Sequence, residues 1–189
     1  MAPFFCYKYK TKTEVKMSAV DDTPKNLNFL SPLNFKFTLH RAPTLNFFVQ
    51  QVTFPGVSIE AIDVPNPLVR VPYAGDHLQY DELDLTFKVD EDLQNYLEVH
   101  NWVRSLGKLN YKEYADINSK PLGSDRGLRS DITLGILNSV RKPNYEVVFK
   151  DAFPIKVSSL EFDTTNEDVS FISATCQFRY ISFDINKVT

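Results

Sequence analysis

Residues 57–75 constrain the fold more than any other part of the chain. They carry Pro65, Pro67 and Pro72, which exclude a helix and a central strand because proline lacks the donor a ladder needs. Yet Leu68, Val69 and Val71 make the stretch too apolar for a loop in water. The chain there must be extended, as a sheet edge or a projecting arm. An apolar arm cannot bury itself alone, so this one is expected to dock on another subunit. The corner Phe54-Pro55-Gly56 leads into it: Pro55 ends strand pairing and Gly56 permits a sharp change of direction.

Around this arm the chain alternates with a period of two, the mark of half-buried strands. Leu33, Phe35, Phe37 and Leu39 oppose Asn34, Lys36, Thr38 and His40. A turn over residues 41–44, fixed by Pro43, is expected to lead into a second strand over 47–53. Residues 80–89 form the cleanest strand, with Leu83, Leu85, Phe87 and Val89 facing one way and Asp84, Thr86 and Lys88 the other. Further strands are expected over 132–137, 145–149, 155–162 and 170–183. Gly135 hints at a bulge or close backbone approach, and the pattern slips near Ser158 and Ser159. In the last strand Ile172, Ala174, Cys176, Phe178 and Tyr180 oppose Ser173, Thr175, Gln177 and Arg179.

One helix is expected over residues 91–106, capped by Asp90 and stopped by Gly107, burying Leu93, Tyr96, Leu97, His100, Val103 and Leu106. Trp102 falls off that stripe. Residues 108–130 are expected to be a long loop. Residues 1–30 read as an N-terminal extension, either mobile or ordered by a partner through Phe4, Phe5, Tyr7 and Tyr9. The remainder, 31–189, reads as one mainly β domain: an antiparallel β-sandwich or flattened barrel with one flanking helix.

The charged groups do not assemble into chemistry. His40, His77 and His100 have no second ligand at metal spacing, and Asp81-Glu82 and Glu91-Asp92 are explained by a strand start and a helix start. No phosphate loop, dinucleotide glycine pattern or nucleophile elbow is present. Cys6 and Cys176 make neither a disulfide framework nor a metal site, and Cys176 reads as a small core residue. A net charge of -3 without a basic block argues against a nucleic-acid groove. No apolar run suits a signal peptide or a bilayer span. The expectation is a non-enzymatic protein without cofactor, made in a cytosol.

The order of these pieces resembles the tail tube proteins of contractile-tailed bacteriophages. Four pieces carry the resemblance: the corner Phe54-Pro55-Gly56-Val57; the arm ending Val69-Arg70-Val71-Pro72-Tyr73-Ala74-Gly75-Asp76; the strand Leu83-Asp84-Leu85-Thr86-Phe87-Lys88-Val89 followed by Asp90-Glu91 and a helix with Trp102; and Asp151-Ala152-Phe153-Pro154-Ile155 before the closing strands. The resemblance implies a homo-hexameric ring, as tube subunit, tube initiator or tail terminator. In such a ring the sheets of neighbouring subunits join into one barrel around a channel. It also implies adjacent tube, baseplate or sheath/terminator proteins as partners, DNA passing through the lumen, and a place in the virion tail after assembly in the host cytoplasm. The arm 57–76, with Pro55, Gly56, Val57, Leu68, Val69, Arg70, Val71, Pro72, Tyr73, Gly75 and Asp76, would then be the inter-subunit contact. Asp84, Thr86, Lys88, Ser173, Thr175, Gln177 and Arg179 would face the lumen. Two other readings compete: a tube subunit of a bacterial contractile injection system, and a monomeric β-sandwich that binds a ligand.

Overall fold

In the computed structural model of the protein, residues 27–65, 67–107, 111–119, 127–165 and 171–188 are described. The chain divides into two units, Met1–Leu30 and Ser31–Thr189. In the first, Leu27, Phe29 and Leu30 are exposed. All the secondary structure among the described residues belongs to the second. It begins with β1 (Phe35–Leu39), α1 (Pro43–Phe48), β2 (Val49–Thr53), β3 (Val57–Val64), β4 (Val71–Tyr80) and β5 (Leu83–Lys88). Helices α2 (Gln94–Leu106) and α3 (Tyr111–Ser119) follow, then β6 (Ser130–Leu137), β7 (Pro143–Val157), β8 (Ser173–Arg179) and β9 (Ser182–Lys187).

Among the described residues every strand pairing is antiparallel. β1, β6, the first half of β7, and β9 make one layer. The second half of β7, β8, β5 and β2 make the other. β7 thus serves both layers. It changes allegiance at Asp151, whose φ of 54° puts a bend where the ladder with β9 ends and the ladder with β8 begins. Inward residues of both layers meet in one core: Phe37 and Leu39, Leu83, Leu85 and Phe87, Ile132, Val147 and Phe149, Ala174, Cys176 and Phe178. Burying a side chain of that size contributes about 1.5–3 kcal/mol. Among the described residues no pairing closes the sheet on itself, so the fold is an open two-layered β structure rather than a flattened barrel.

Several elements depart from the sequence reading. Residues 43–48 form a short helix instead of a turn and strand, because Pro43 suits a first helical position and Leu45 inserts into the core. Leu33 stays exposed outside β1. The expected strand over 80–89 breaks at Asp81 and Glu82. The expected strand over 170–183 breaks at Tyr180 and Ile181.

The helix expected over 91–106 starts later, at Gln94. Asp90 is not its cap: Asn95 Oδ1 accepts from the Asp90 amide (3.2 Å) while Asn95 Nδ2 donates to the Lys88 carbonyl (2.8 Å), holding 88–93 as a turn. The buried face is Asn95, Val99, Trp102 and Ser105; Leu93, Leu97 and His100 are exposed. Trp102, read as off the stripe, is central. It packs on Phe178 (6.1 Å between centroids) and its Nε1 donates to the Leu128 carbonyl (3.0 Å). The segment 108–130 contains α3, so it is not simply a loop, and among the described residues three helices replace the one expected. Residues 143–157 run as one strand, because the bend at Asp151 redirects it without ending it. The bulge expected near Ser158 and Ser159 lies instead between Pro154 and Lys156. Gly135 sits in regular register opposite Lys36 and Glu146 and is not a bulge.

Candidate assembly interface

β3 and β4 pair only with each other, as a two-stranded sheet. The stretch read as a single extended arm, 57–75, is therefore β3, the turn and the first half of β4 of a hairpin whose return strand runs on to Tyr80. Pro65 and Pro67 lie between the strands. Pro72 is tolerated opposite Asp63 because a two-stranded ribbon leaves one edge of each strand without a ladder. At its base the Asp81 amide donates to the Gly56 carbonyl (3.1 Å). Gly56 keeps an ordinary φ. A Cβ there would lie 2.6 Å from Asp81 Oδ2, the end of an exposed side chain that can swing aside. Gly75, by contrast, is needed for space: a Cβ would lie 2.5 Å from the Glu60 carbonyl oxygen, which is backbone and cannot move aside, where the register shifts between Ile59 and Ala61.

The hairpin is apolar and open. Val57, Ile59, Ile62, Val64, Tyr73 and Leu78 are all exposed; Leu68 and Val69 near the turn are 92% and 65% exposed. Because strand side chains alternate, Val57 and Ile59 share a face with Leu78, whereas Ile62 and Val64 share the opposite face with Tyr73 and Val71. The arm thus carries two apolar patches on opposite sides, one near its base and one near its tip. Of the residues singled out in sequence, Val57, Leu68, Val69, Arg70, Val71, Pro72, Tyr73 and Asp76 are exposed on it, Gly75 is half-buried and Pro55 is buried at its root. Ile59, Ile62, Val64 and Leu78 were missed, although the apolar spacing of 57, 59, 62 and 64 was visible. Phe4, Phe5, Tyr7 and Tyr9 lie outside the described residues.

An aromatic cluster fixes the root of the arm. Tyr80 stands against Tyr180 (5.8 Å) and Phe183 (5.5 Å), Phe54 against Phe183 (5.4 Å), and Phe149 against Tyr180 (5.0 Å). Tyr180 Oη donates to the Asp81 carbonyl at 2.9 Å. Burial, with the nearby Asp81 and Tyr80, pushes the Tyr180 phenol up to about 12. Tyr180 therefore stays a donor at any ordinary pH.

The second surface is the outer face of the β2–β5–β8–β7 layer. The register sets Asp84 opposite Gln177, Thr86 opposite Thr175 and Lys88 opposite Ser173, so these six residues form one cross-strand patch. Arg179 extends it, its Nε donating to Glu82 Oε1 at 3.2 Å. Gln51 and Thr53 of β2 and Lys156 of β7 join by pairing with Thr86, Asp84 and Gln177, a link that no single strand's sequence reveals. The charges balance closely: Lys88, Lys156 and Arg179 against Glu82 and Asp84, among hydroxyls and amides. Beneath it Cys176 is buried, and that burial, with the Asp84 charge second, pushes its thiol well above the ordinary 9.0. This layer also has two edges without a strand partner among the described residues, β2 and the end of β7 over residues 153–157.

The tail tube terminator protein of Enterobacteria phage T4 is 27% identical over 167 residues, covering 85% of this chain and 90% of that protein. The tube-terminating cap of the anti-feeding prophage has the same fold, with a TM-score of 0.59 at 14% identity over 91% of this chain and 100% of that one. The sheath/tube terminator of the PVC extracellular contractile injection system gives a TM-score of 0.54 at 14% identity over 85% of this chain and 99% of that one. The relatives are structural tail proteins, not enzymes. The family model described as phage tail tube protein matches residues 14–186, and the chain accordingly belongs to that family.

Proposed function

We propose that this protein forms a hexameric ring that closes the tube of a contractile phage tail, the terminator role. The observation that carries the ring is the β3–β4 hairpin, whose two apolar faces are uncovered in the single chain. A two-stranded hairpin is marginal by itself, and patches of this kind mark contact surfaces. The terminator position is favoured because the phage T4 terminator matches over most of both chains.

In this reading the free β2 edge of one copy pairs with the 153–157 edge of the next. Such head-to-tail contacts close into a ring and leave no strand edge exposed. The base and tip patches of the hairpin then meet two neighbours and set the register. The patch around Thr86 and Thr175 lines the channel. Few net positive charges face it, so DNA slides through; a strongly basic wall would hold the phosphates. Assembly takes place in the host cytoplasm, next to tube and sheath proteins, and the product resides in the virion tail.

Mass photometry and negative-stain electron microscopy of the purified full-length protein test the proposal. Rings of six copies are expected at micromolar concentration. A protein that stays a monomer with the hairpin folded onto its own body overturns it.

A further inference from the structure

The β5–β8 ladder has two unlike ends. At one, Leu83 pairs with Phe178, just after the chain leaves the hairpin at Tyr80. At the other, the Val89 amide donates to the Ile172 carbonyl (2.9 Å), and Leu93 takes a φ of 56° with its side chain exposed. A groove of about 580 Å³ opens there between Phe48, Leu93, Phe162 and Phe171, with Asp90 and Glu91 on its rim. Phe162 and Phe171 are 76% and 73% exposed. Lys88 is the one cation among the described lining residues, and it lies over the Phe171 ring, 4.3 Å from the centroid. The two carboxylates therefore set the charge of the opening. Glu91 is exposed and has no ion-pair partner among the described residues.

The hairpin tip has the complementary chemistry. Across residues 64–75 Arg70 is the sole charged side chain, and Leu68 and Val69 stand directly before it. All three are exposed in the single chain. Apolar side chains followed by a guanidinium suit an aromatic groove with an acidic rim: the first gain burial, the second pairs with carboxylate. A second apolar groove, of about 720 Å³, runs beside β1, but its charged lining residue is Lys36, which repels Arg70. The lengths match as well. The eight residues of β3 span about 26 Å and the six-residue β5–β8 ladder about 20 Å, so a hairpin rooted at one end of the ladder is long enough to reach the other end on a neighbour. We infer that the Leu68-Val69-Arg70 tip of one copy seats between Phe162 and Phe171 of a second copy, with Arg70 paired to Glu91. Tip and groove are both uncovered in the single chain, so in a ring each copy gives one tip and receives one. The inference rests on the ring reading of the hairpin and supplies its receptor.

Two experiments on the full-length chain test it. Arg70→Glu and Glu91→Arg should each lower ring yield in mass photometry about tenfold at low salt, since like charges then meet. The two variants mixed in equal amounts should regain rings, because alternating copies restore an opposite pair at every contact. Single variants that assemble like the unaltered chain, or a mixture that stays dispersed, would overturn the inference. In the second experiment, with Cys6→Ser in every chain, Leu68→Cys is mixed with Phe162→Cys or, for the lysine-bearing groove, with Phe47→Cys, and disulfides are read on a non-reducing gel. Cross-linking to Phe162→Cys is expected about fivefold above Phe47→Cys, since a disulfide forms where Cβ atoms come within about 4.5 Å. Equal yields, more product with Phe47→Cys, no product, or product only when both cysteines sit in one chain would overturn the inference. Rings that lack the cross-link and ignore the charge reversals sink this docking alone, whereas cross-linked pairs without rings sink the hexamer alone.

Discussion

At the scale of single residues, two asparagines and one tryptophan decide where the first helices go. Asn46 and Asn95 each stand in for a missing strand, taking one amide and one carbonyl from backbone nearby. Nothing in the sequence marks them, because such pairing depends on a neighbour's backbone direction. Trp102→Ala should cost about 3–5 kcal/mol, whereas Leu97→Ala should cost less than about 0.5 kcal/mol, read by urea unfolding. That contrast separates the observed helix face from the one periodicity suggests. The reason for the offset is physical: the helix docks through Trp102 on Phe178 and through Asn95 on the backbone after β5, and Leu93 and Leu97 are left facing solvent. Cys176 gives a pH signature. Its folded thiol titrates above the ordinary 9.0, so both states are protonated at lower pH and nothing is lost there. Above that pH only the unfolded thiol ionises, and stability falls by about 1.4 kcal/mol per pH unit until the folded thiol titrates. Tyr180 acts in the same direction from 10.0 upward. The urea midpoint should hold to about pH 9 and then drop. Cys176→Ala should flatten the first part of that slope, and an unchanged slope would show that other groups cause it.

At the scale of elements, the hairpin is where assembly and folding come apart. Gly75→Val forces a Cβ against the Glu60 carbonyl and should distort the arm while the core retains its melting temperature. Val69→Asp with Val71→Asp should leave the hairpin formed but abolish ring formation in mass photometry. If either variant unfolds the whole domain, the arm is part of the core. The prolines and apolar residues of 57–75 made the extended, unburied character of this region legible from sequence. That it doubles back was not legible, because the return strand through His77, Leu78 and Gln79 lacks a clean alternation and its register shifts beside Glu60. Likewise the alternation of β5 and β8 was legible, but not the breaks at Asp81 and Glu82 and at Tyr180 and Ile181 that bound them. The division of β7 between two layers was not, since one residue at a positive φ reads in sequence as a corner.

At the scale of the whole molecule, the fold class and the family followed from the order of strands, arm and helix, and both stand. The channel-facing patch is a proposal that pairing geometry makes specific. If it lines the channel, Thr86→Lys with Thr175→Lys adds two positive charges per copy at adjacent positions. Rings of this variant should retain double-stranded DNA at low salt and release it as salt rises, while unaltered rings should show little retention in the same filter assay. Equal retention by both would place the patch elsewhere. The course of β7 has its own mechanical meaning. One unbroken backbone belongs to both layers, so tension on one wall passes to the other along covalent bonds rather than across greasy side chains. A shear that slid the walls apart would first have to unzip β8 or β9. A conduit built from such units resists delamination under axial load, and the bend at Asp151 is where that resistance is anchored.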